Sequence, residues 1–289
     1  MAILPLLNAK RPTLSFEFFP PKTDKGSTEL LETVHELGQL DPAFVSVTYG
    51  AGGTTREKTR QMVQAIIQGA CVPTIPHLTC IGHSAEEMTE ILDQYAKDQV
   101  GTILALRGDP PHNQPNYDRS RDYFQYASDL VTFIKDHPHP FEIGVAGFPE
   151  GHPATQNRLI EMDHFRAKIE AGADYICTQL FFDNHDFFDY RDRCALKGIN
   201  LPIVAGIMPI TTLSNMKRMA DLAAGSRFPA KLLHALEQAG DDSASIRQAG
   251  IDYAIEQCQG LIDGGVAGLH LYTLNKSSAT REIASALNY

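Results

Sequence analysis

Apolar residues in this chain fall into short alternating or continuous runs, each followed by a longer amphipathic stretch. The runs are LSFEF (14–18), FVSVT (44–48), TIPHLT (74–79), TILAL (102–106), EIGVAG (142–147), YICTQ (175–179), PIVAG (202–206) and VAGLHLY (266–272). They read as strands. The segments between them carry helix start and stop signals. Ser84-Ala-Glu-Glu87 forms a capping box ahead of MTEILDQYAKDQ, and Asn184 opens HDFFDYRDRCALKG, which stops at Gly198.

Strict alternation of strand and helix predicts a parallel sheet, and eight such units within 289 residues are the count and size at which that sheet closes on itself. The expected architecture is α/β, a (β/α)8 TIM barrel with residues 1–289 as a single domain. A doubly wound open sheet is the alternative. Neither a Gly-x-Gly-x-x-Gly after a strand nor a Walker A run is present to support it. Two stretches break the rhythm. Gly108 to Arg121, rich in Pro and Asn, is expected to be an active-site loop, and Pro229 to Gln238, before a long helix over 243–262, a decoration of the barrel.

Composition narrows the partners. A net charge of −10 without any run of Lys or Arg offers no basic stripe for a phosphate backbone, so nucleic acid is not expected. The N-terminal MAILPLLNAKRP lacks the features of a secretion signal, and no segment approaches a membrane-spanning apolar run, so a cytoplasmic protein without a membrane partner is expected. Cys71, Cys80, Cys177, Cys194 and Cys258 are widely spaced and form no C-x-x-C pair; they read as buried thiols.

In barrels of this kind the chemistry sits at the C-terminal strand ends. Those positions are polar here: Glu17, Thr48-Tyr49-Gly50, His77 and Thr79, Arg107-Gly108-Asp109, His152, Gln179, and Tyr272 to Lys276. Alternation along Leu14-Ser15-Phe16-Glu17-Phe18 puts the three apolar side chains on one face and Ser15 with Glu17 on the other. A carboxyl group held among aromatic residues suits a general acid; the plain alternative is an ion pair inside the barrel, with Arg107 as the partner. Arg107-Gly108-Asp109 is either a simple turn or a second carboxylate over the barrel mouth. Gly50-Ala-Gly-Gly53 would admit a ligand close to the backbone, or is an ordinary loop. His137-Pro-His139 falls in a helix-to-strand loop at the opposite end, and no His-x-His follows strand one, so no catalytic metal is expected. No strand contains a lysine, which disfavours Schiff-base chemistry.

Eight motifs carry a family resemblance: SFEFFPPK (15–22), VTYGAGG (47–53), HLTC (77–80), LRGD (106–109), YASDL (126–130), TQLFFD (178–183), GIMP (206–209) and LYTLN (271–275). In this order and spacing, across nearly the whole chain, they resemble the catalytic domain of methylenetetrahydrofolate reductases. The resemblance implies a (β/α) barrel holding FAD non-covalently. It also implies NADH or NADPH and 5,10-methylenetetrahydrofolate as successive ping-pong partners, in one-carbon metabolism and methionine biosynthesis. It makes Glu17 and Asp109 the catalytic pair. FAD contacts would come from Thr48, Tyr49, Ala51, His77, Arg107, Gly108, Asp109, Tyr126, Ala127, His152, Glu161, His164 and Lys168. Arg107 and Lys168 would be the diphosphate counter-charges, unless Lys168 is an ordinary surface lysine. Folate contacts would come from Glu17, Asp109, Gln179, Asn215 and Lys276, with Gln179 also meeting the nicotinamide.

Three positions depart from the family pattern. Phe148 stands where a tyrosine is common, Asn215 where a glutamine is, and Lys276 where an arginine is; the last replaces a planar bidentate fork with a point charge. Related enzymes suggest a homo-oligomer. The regulatory region that binds S-adenosylmethionine in eukaryotic relatives is expected to be absent. Proline dehydrogenase, another flavin barrel, and a non-catalytic pterin-binding module are the competing readings. Activity with proline would mark the first, and folate binding without flavin the second.

Overall fold

The computed structural model describes residues 2–50, 56–70, 72–111, 114, 116–155, 157–223 and 226–289. A short helix α1 (Leu4–Leu7) precedes β1 (Thr13–Phe18), α2 (Asp24–Gly38), β2 (Phe44–Val47), α3 (Arg56–Ala70), β3 (Thr74–Thr79), α4 (Ala85–Lys97) and β4 (Thr102–Leu106). A 3₁₀ turn at Arg119–Arg121 leads to α5 (Ala127–Lys135), β5 (Glu142–Gly147), α6 (Arg158–Glu170), β6 (Tyr175–Thr178), α7 (Asn184–Leu196) and β7 (Ile203–Ile207). Then come α8 (Leu213–Leu222), α9 (Ala230–Gln238), α10 (Ser243–Asp263), β8 (Gly268–Tyr272) and α11 (Ser278–Ala286). All strand pairs are parallel and run in sequence order until β8 closes on β1, so the sheet is the eight-stranded barrel that the alternation predicted.

Period-two alternation sorts each strand into a helix-facing and a lumen-facing set. Leu14, Phe16 and Phe18 of β1, Val45 and Val47 of β2, Ile143 and Val145 of β5, and Leu269 and Leu271 of β8 join the large core between sheet and helices. Inside the barrel, Phe44, Ile75, Leu104, Tyr175, Cys177 and Val204 form a separate apolar layer with Ile3 and Leu7 of α1. The chain start is thus a plug for the bottom of the barrel. Glu142 fixes it: its carboxylate accepts from the backbone N–H of Ile3 at 2.6 Å and of Leu4 at 3.3 Å, and from Thr102 Oγ1 at 2.9 Å. A carboxylate at the first turn satisfies helix donors that would otherwise be orphaned.

The strand ends differ slightly from expectation. β8 starts at Gly268, two residues later than read, with the Ala267 carbonyl accepting from the Thr13 N–H at 3.0 Å as the chain enters the ladder. The capping box at Ser84 and Glu87 forms as read. The cap of α7 is Asp183, whose side chain accepts from His185 N, while the Asn184 amide reaches across to the Gln257 carbonyl at 2.9 Å. Gly198 takes φ +75° just past that helix, a conformation glycine adopts without a steric penalty. Cys80, Cys177, Cys194 and Cys258 are buried free thiols, and Cys71 lies outside the described residues. Among the described residues no helix is long and apolar enough to cross a membrane.

Candidate active site

Above the apolar plug the lumen turns polar. Ser15 and Glu17 of β1, Ser46 of β2, His77 and Thr79 of β3, and His270 and Tyr272 of β8 share the inward parity of their strands. Ser15 Oγ donates to the Leu269 carbonyl at 3.0 Å and lies 2.8 Å from His270 Nδ1. With its proton spent on the carbonyl, Ser15 accepts from Nδ1–H, so Nε2 is the His270 nitrogen that faces Ser46 and Glu17. That nitrogen is 3.2 Å from Ser46 Oγ and 3.6 Å from Glu17 Oε2. On the other side His77 Nε2 stands 3.5 Å from the same oxygen. Burial lowers the pKa of His77 against the opposing pull of Glu17, so the imidazole is neutral near pH 7. The contact is therefore polar rather than an ion pair. Glu17 meets two histidines here and not Arg107, the partner considered from sequence.

Tyr272 lies across the lumen with its hydroxyl donating to the Thr178 carbonyl at 2.9 Å. Gly206 makes this possible, since a Cβ there would sit 2.7 Å from that hydroxyl and against the Thr178 carbonyl oxygen. A side chain at Gly206 would displace the ring.

Across the barrel, the β4 and β5 ends carry a different chemistry. Arg107 approaches Asp109 at 3.8 Å, and Asp109 is 81% exposed at the rim, available to a ligand. Gly108 takes φ +82° with Thr79 and Ile81 at 2.8 Å from where a Cβ would be, so conformation and space both require glycine. His152 follows β5 with its ring packed on Phe148 at 4.6 Å. Burial lowers its pKa first, and the charges of Arg107 and Lys168 lower it further. Lys168 is not a surface lysine: its ammonium turns inward to the Ala146 carbonyl at 2.6 Å and lies 4.9 Å over the Phe165 ring. Burial pushes its pKa down to about 8. Glu161, whose field partly offsets this, is itself buried and paired with Arg158 at 3.5 Å. Tyr126, the exposed N-cap of α5, faces His164 at 6.1 Å between ring centres, with Ala127 half-buried behind it.

The remaining candidates are scattered more widely. Thr48 is half-buried and its carbonyl accepts from Thr59 Oγ1. Tyr49 has the opposite parity: its side chain joins the core between sheet and helices, and its hydroxyl is 3.3 Å from His83 Nε2, so only its backbone faces the mouth. Ala51 lies outside the described residues, as does the rest of the run after Gly50. The Gln179 side chain folds back to accept from Leu180 N at 2.8 Å. Asn215 sits in the first turn of α8, bonded to Thr211 Oγ1, and Lys276 is exposed beyond β8. The sequence reading missed His270 and Ser46. Both were marked by parity, since each is a polar residue on the lumen side of an otherwise apolar strand. Among the described residues no cluster of His, Cys, Asp and Glu is arranged to hold a metal ion.

Comparison with known proteins bears on this geometry. The family described as Methylenetetrahydrofolate reductase matches residues 3–288. The 5,10-methylenetetrahydrofolate reductase of Escherichia coli K12 is 34% identical over 274 residues, covering 95% of this chain and 90% of that protein. Methylenetetrahydrofolate reductase (NADH) 1 of Arabidopsis thaliana is 38% identical over 271 residues, which is 90% of this chain but 46% of the plant protein. The chain thus spans about half the length of several relatives it matches. Among solved structures, a Clostridium thermocellum protein described as binding two copies of 5-methyl-5,6,7,8-tetrahydrofolic acid superposes with a TM-score of 0.66. It covers 98% of this chain and 96% of its own at 15% identity, a likeness of fold.

Proposed function

The chain belongs to the methylenetetrahydrofolate reductase family, and from that premise we propose that it reduces 5,10-methylenetetrahydrofolate to 5-methyltetrahydrofolate with a reduced nicotinamide and a bound FAD. The observation that carries the reading is the division of the mouth. An acid stands over the lumen on the β1 and β8 side, and a cation-bearing surface stands opposite on β4 and β5.

The residues fit a flavin dinucleotide. His77 Nε2 and Thr79 Oγ1 are buried polar atoms with no hydrogen-bond partner among the described residues, and an inward-turned lysine has its acidic neighbour Glu161 paired with Arg158. Arg107 and Lys168 would balance the diphosphate, His152 and the Tyr126–His164 pair would line the remainder, and His77 with Thr79 would offer it polar contacts. When bound, the flavin would supply hydride exchange, accepting from the nicotinamide and giving to the one-carbon unit of the folate.

Glu17 would supply the proton. Opening the five-membered ring of the folate to an iminium requires protonation at nitrogen, and Glu17 is the carboxyl group that faces the lumen top from β1. His270, oriented by Ser15 and Ser46, lies beneath it with Nε2 3.6 Å from the carboxyl oxygen. Asp109 at the rim would hydrogen-bond the pterin and stabilise cationic character as the iminium forms. Gln179 and Tyr272 would border the space shared by the two substrates, with Asn215 and Lys276 towards the folate tail.

The test is an anaerobic absorption experiment on the purified holoenzyme. NADH should bleach the flavin band and 5,10-methylenetetrahydrofolate should restore it. In Glu17→Gln bleaching should persist, while restoration slows by roughly 10²–10⁴-fold, the usual scale of general acid catalysis. A folate step at the unaltered rate would remove Glu17 from the mechanism. A bleached flavin that folate never restores, in the unaltered protein, would remove the substrate assignment.

A further inference from the structure

β8 leaves the barrel through two consecutive non-glycine residues in the left-handed region, Leu274 at φ 51° and Asn275 at φ 58°. Asparagine tolerates that region; leucine has no side-chain hydrogen bond to compensate for it. Strain of this kind persists only where surrounding contacts over-determine it. Here they do so on one target. Thr273 donates to the Glu17 carbonyl from both its N–H at 3.3 Å and its Oγ1 at 2.7 Å. Asn275 brackets Phe19, accepting from its N–H at 3.0 Å and donating to its carbonyl at 2.8 Å. Asn275 N in turn donates to Thr273 Oγ1 at 3.0 Å, which joins the two grips into one unit.

The β1–β8 ladder pairs Glu17 with Tyr272 as its last register position. Beyond that point one backbone bond, Thr273 N–H to the Glu17 carbonyl, still joins β8 to β1, and side chains of Thr273 and Asn275 take over the backbone from the Glu17 carbonyl to Phe19. On the other side β2 holds the same strand end through the Glu17–Ser46 and Phe18–Val47 pairs, so the β8 side of Glu17 is the one that depends on these side chains. We propose that Thr273 and Asn275 are positioning residues for the reaction, a strained clamp that sets where the Glu17 carboxyl group stands. This rests on the acid role proposed for Glu17.

The clamp can be separated from simple turn structure. Asn275→Gly leaves the left-handed backbone free of strain but deletes both bonds to Phe19. Asn275→Asp keeps the acceptor for the Phe19 N–H and loses the donor to its carbonyl. Thr273→Val removes the hydroxyl, and Thr273→Ser restores it. In rapid mixing of the holoenzyme, Asn275→Gly should be reduced by NADH within about twofold of the parent rate. Its reoxidation by 5,10-methylenetetrahydrofolate should slow by roughly 10–10²-fold, the scale of a misplaced catalytic group. Asn275→Asp should fall between, and Thr273→Ser should recover most of what Thr273→Val loses.

A double variant distinguishes action through Glu17 from a general defect. In the Glu17→Gln background, Asn275→Gly should add almost nothing, because residues that act as a unit are not additive. Parent-rate reoxidation in Asn275→Gly, or the same slowing with and without the Glu17 carboxyl, overturns the clamp while leaving the acid intact. Parent-rate reoxidation in Glu17→Gln alone overturns the acid reading, and the clamp with it.

Discussion

Replacing Lys168 with methionine should make the flavin-free protein more stable while loosening its grip on an anionic ligand. The lysine belongs to the last turn of α6, turns inward to the Ala146 carbonyl, and has a pKa pushed by burial from 10.5 to about 8. Below pH 8 the folded and unfolded chains both carry the proton, and the folded chain bears the full desolvation penalty. Between about 8 and 10.5 the unfolded chain holds a proton that the folded chain has lost, so stability should rise with pH through that window. A displacement of this size corresponds to about 3 kcal/mol at most. Partial exposure of the residue reduces it, and methionine forfeits the bond to Ala146, which is worth about 1 kcal/mol. A net gain of about 1–2 kcal/mol at pH 7 is expected. Urea denaturation of flavin-free parent and variant at pH 7 and pH 10.5 measures it, and common titrations cancel in the difference. The advantage should be present at pH 7 and vanish by pH 10.5, and FAD affinity by equilibrium dialysis should drop about tenfold or more with loss of a charge-assisted contact. A variant less stable than the parent at pH 7, or an advantage independent of pH, would refute the reasoning.

Three further outcomes follow from the same geometry. Glu142→Ala strips the acceptor from Ile3 N, Leu4 N and Thr102 Oγ1, and should cost about 2–4 kcal/mol, lowering Tm by roughly 5–15 °C in calorimetry, with the barrel mouth unaffected. Gly206→Ala should drive Tyr272 off the Thr178 carbonyl, cost about 1–3 kcal/mol from overpacking, and raise the KM for folate more than it changes the NADH step in stopped-flow traces. The thiols of Cys80 and Cys258 are pushed up to about 12 by burial, so neither should be labelled by a thiol reagent at pH 7.5 until denaturant is added; mass spectrometry of the peptides would expose a fast-reacting site.

Strand-helix alternation revealed the barrel because each strand must bury a face against helices, and that demand repeats eight times along the chain. It revealed Glu17 for the same reason: Leu14, Phe16 and Phe18 occupy the helix-facing side, which leaves the carboxylate only the lumen. The same arithmetic, applied to β8, places His270 between Leu269 and Leu271, and applied to β2 places Ser46 between Val45 and Val47. Parity also turns Tyr49 outward, since it continues the Val45 and Val47 series into the helix-facing core.

What parity cannot deliver is contact between distant segments. α1 is a four-residue helix whose role depends on Glu142, 138 residues away from Leu4, and no local pattern links them. The clamp on Glu17 joins Thr273 to a carbonyl 256 positions earlier, next to a left-handed backbone angle that Leu274 does not announce. Inward turning of Lys168 is likewise invisible in a helix whose charged residues are spread around its surface. A lysine near a helix C-terminus is ordinarily explained by the helix dipole alone. Only the fold shows this one turned in against the Ala146 carbonyl of β5 and the Phe165 ring. Positions read from alternation therefore supply the proposed acid, and positions set by long-range closure of the barrel supply the proposed clamp on it and the lysine proposed to meet the cofactor's charge.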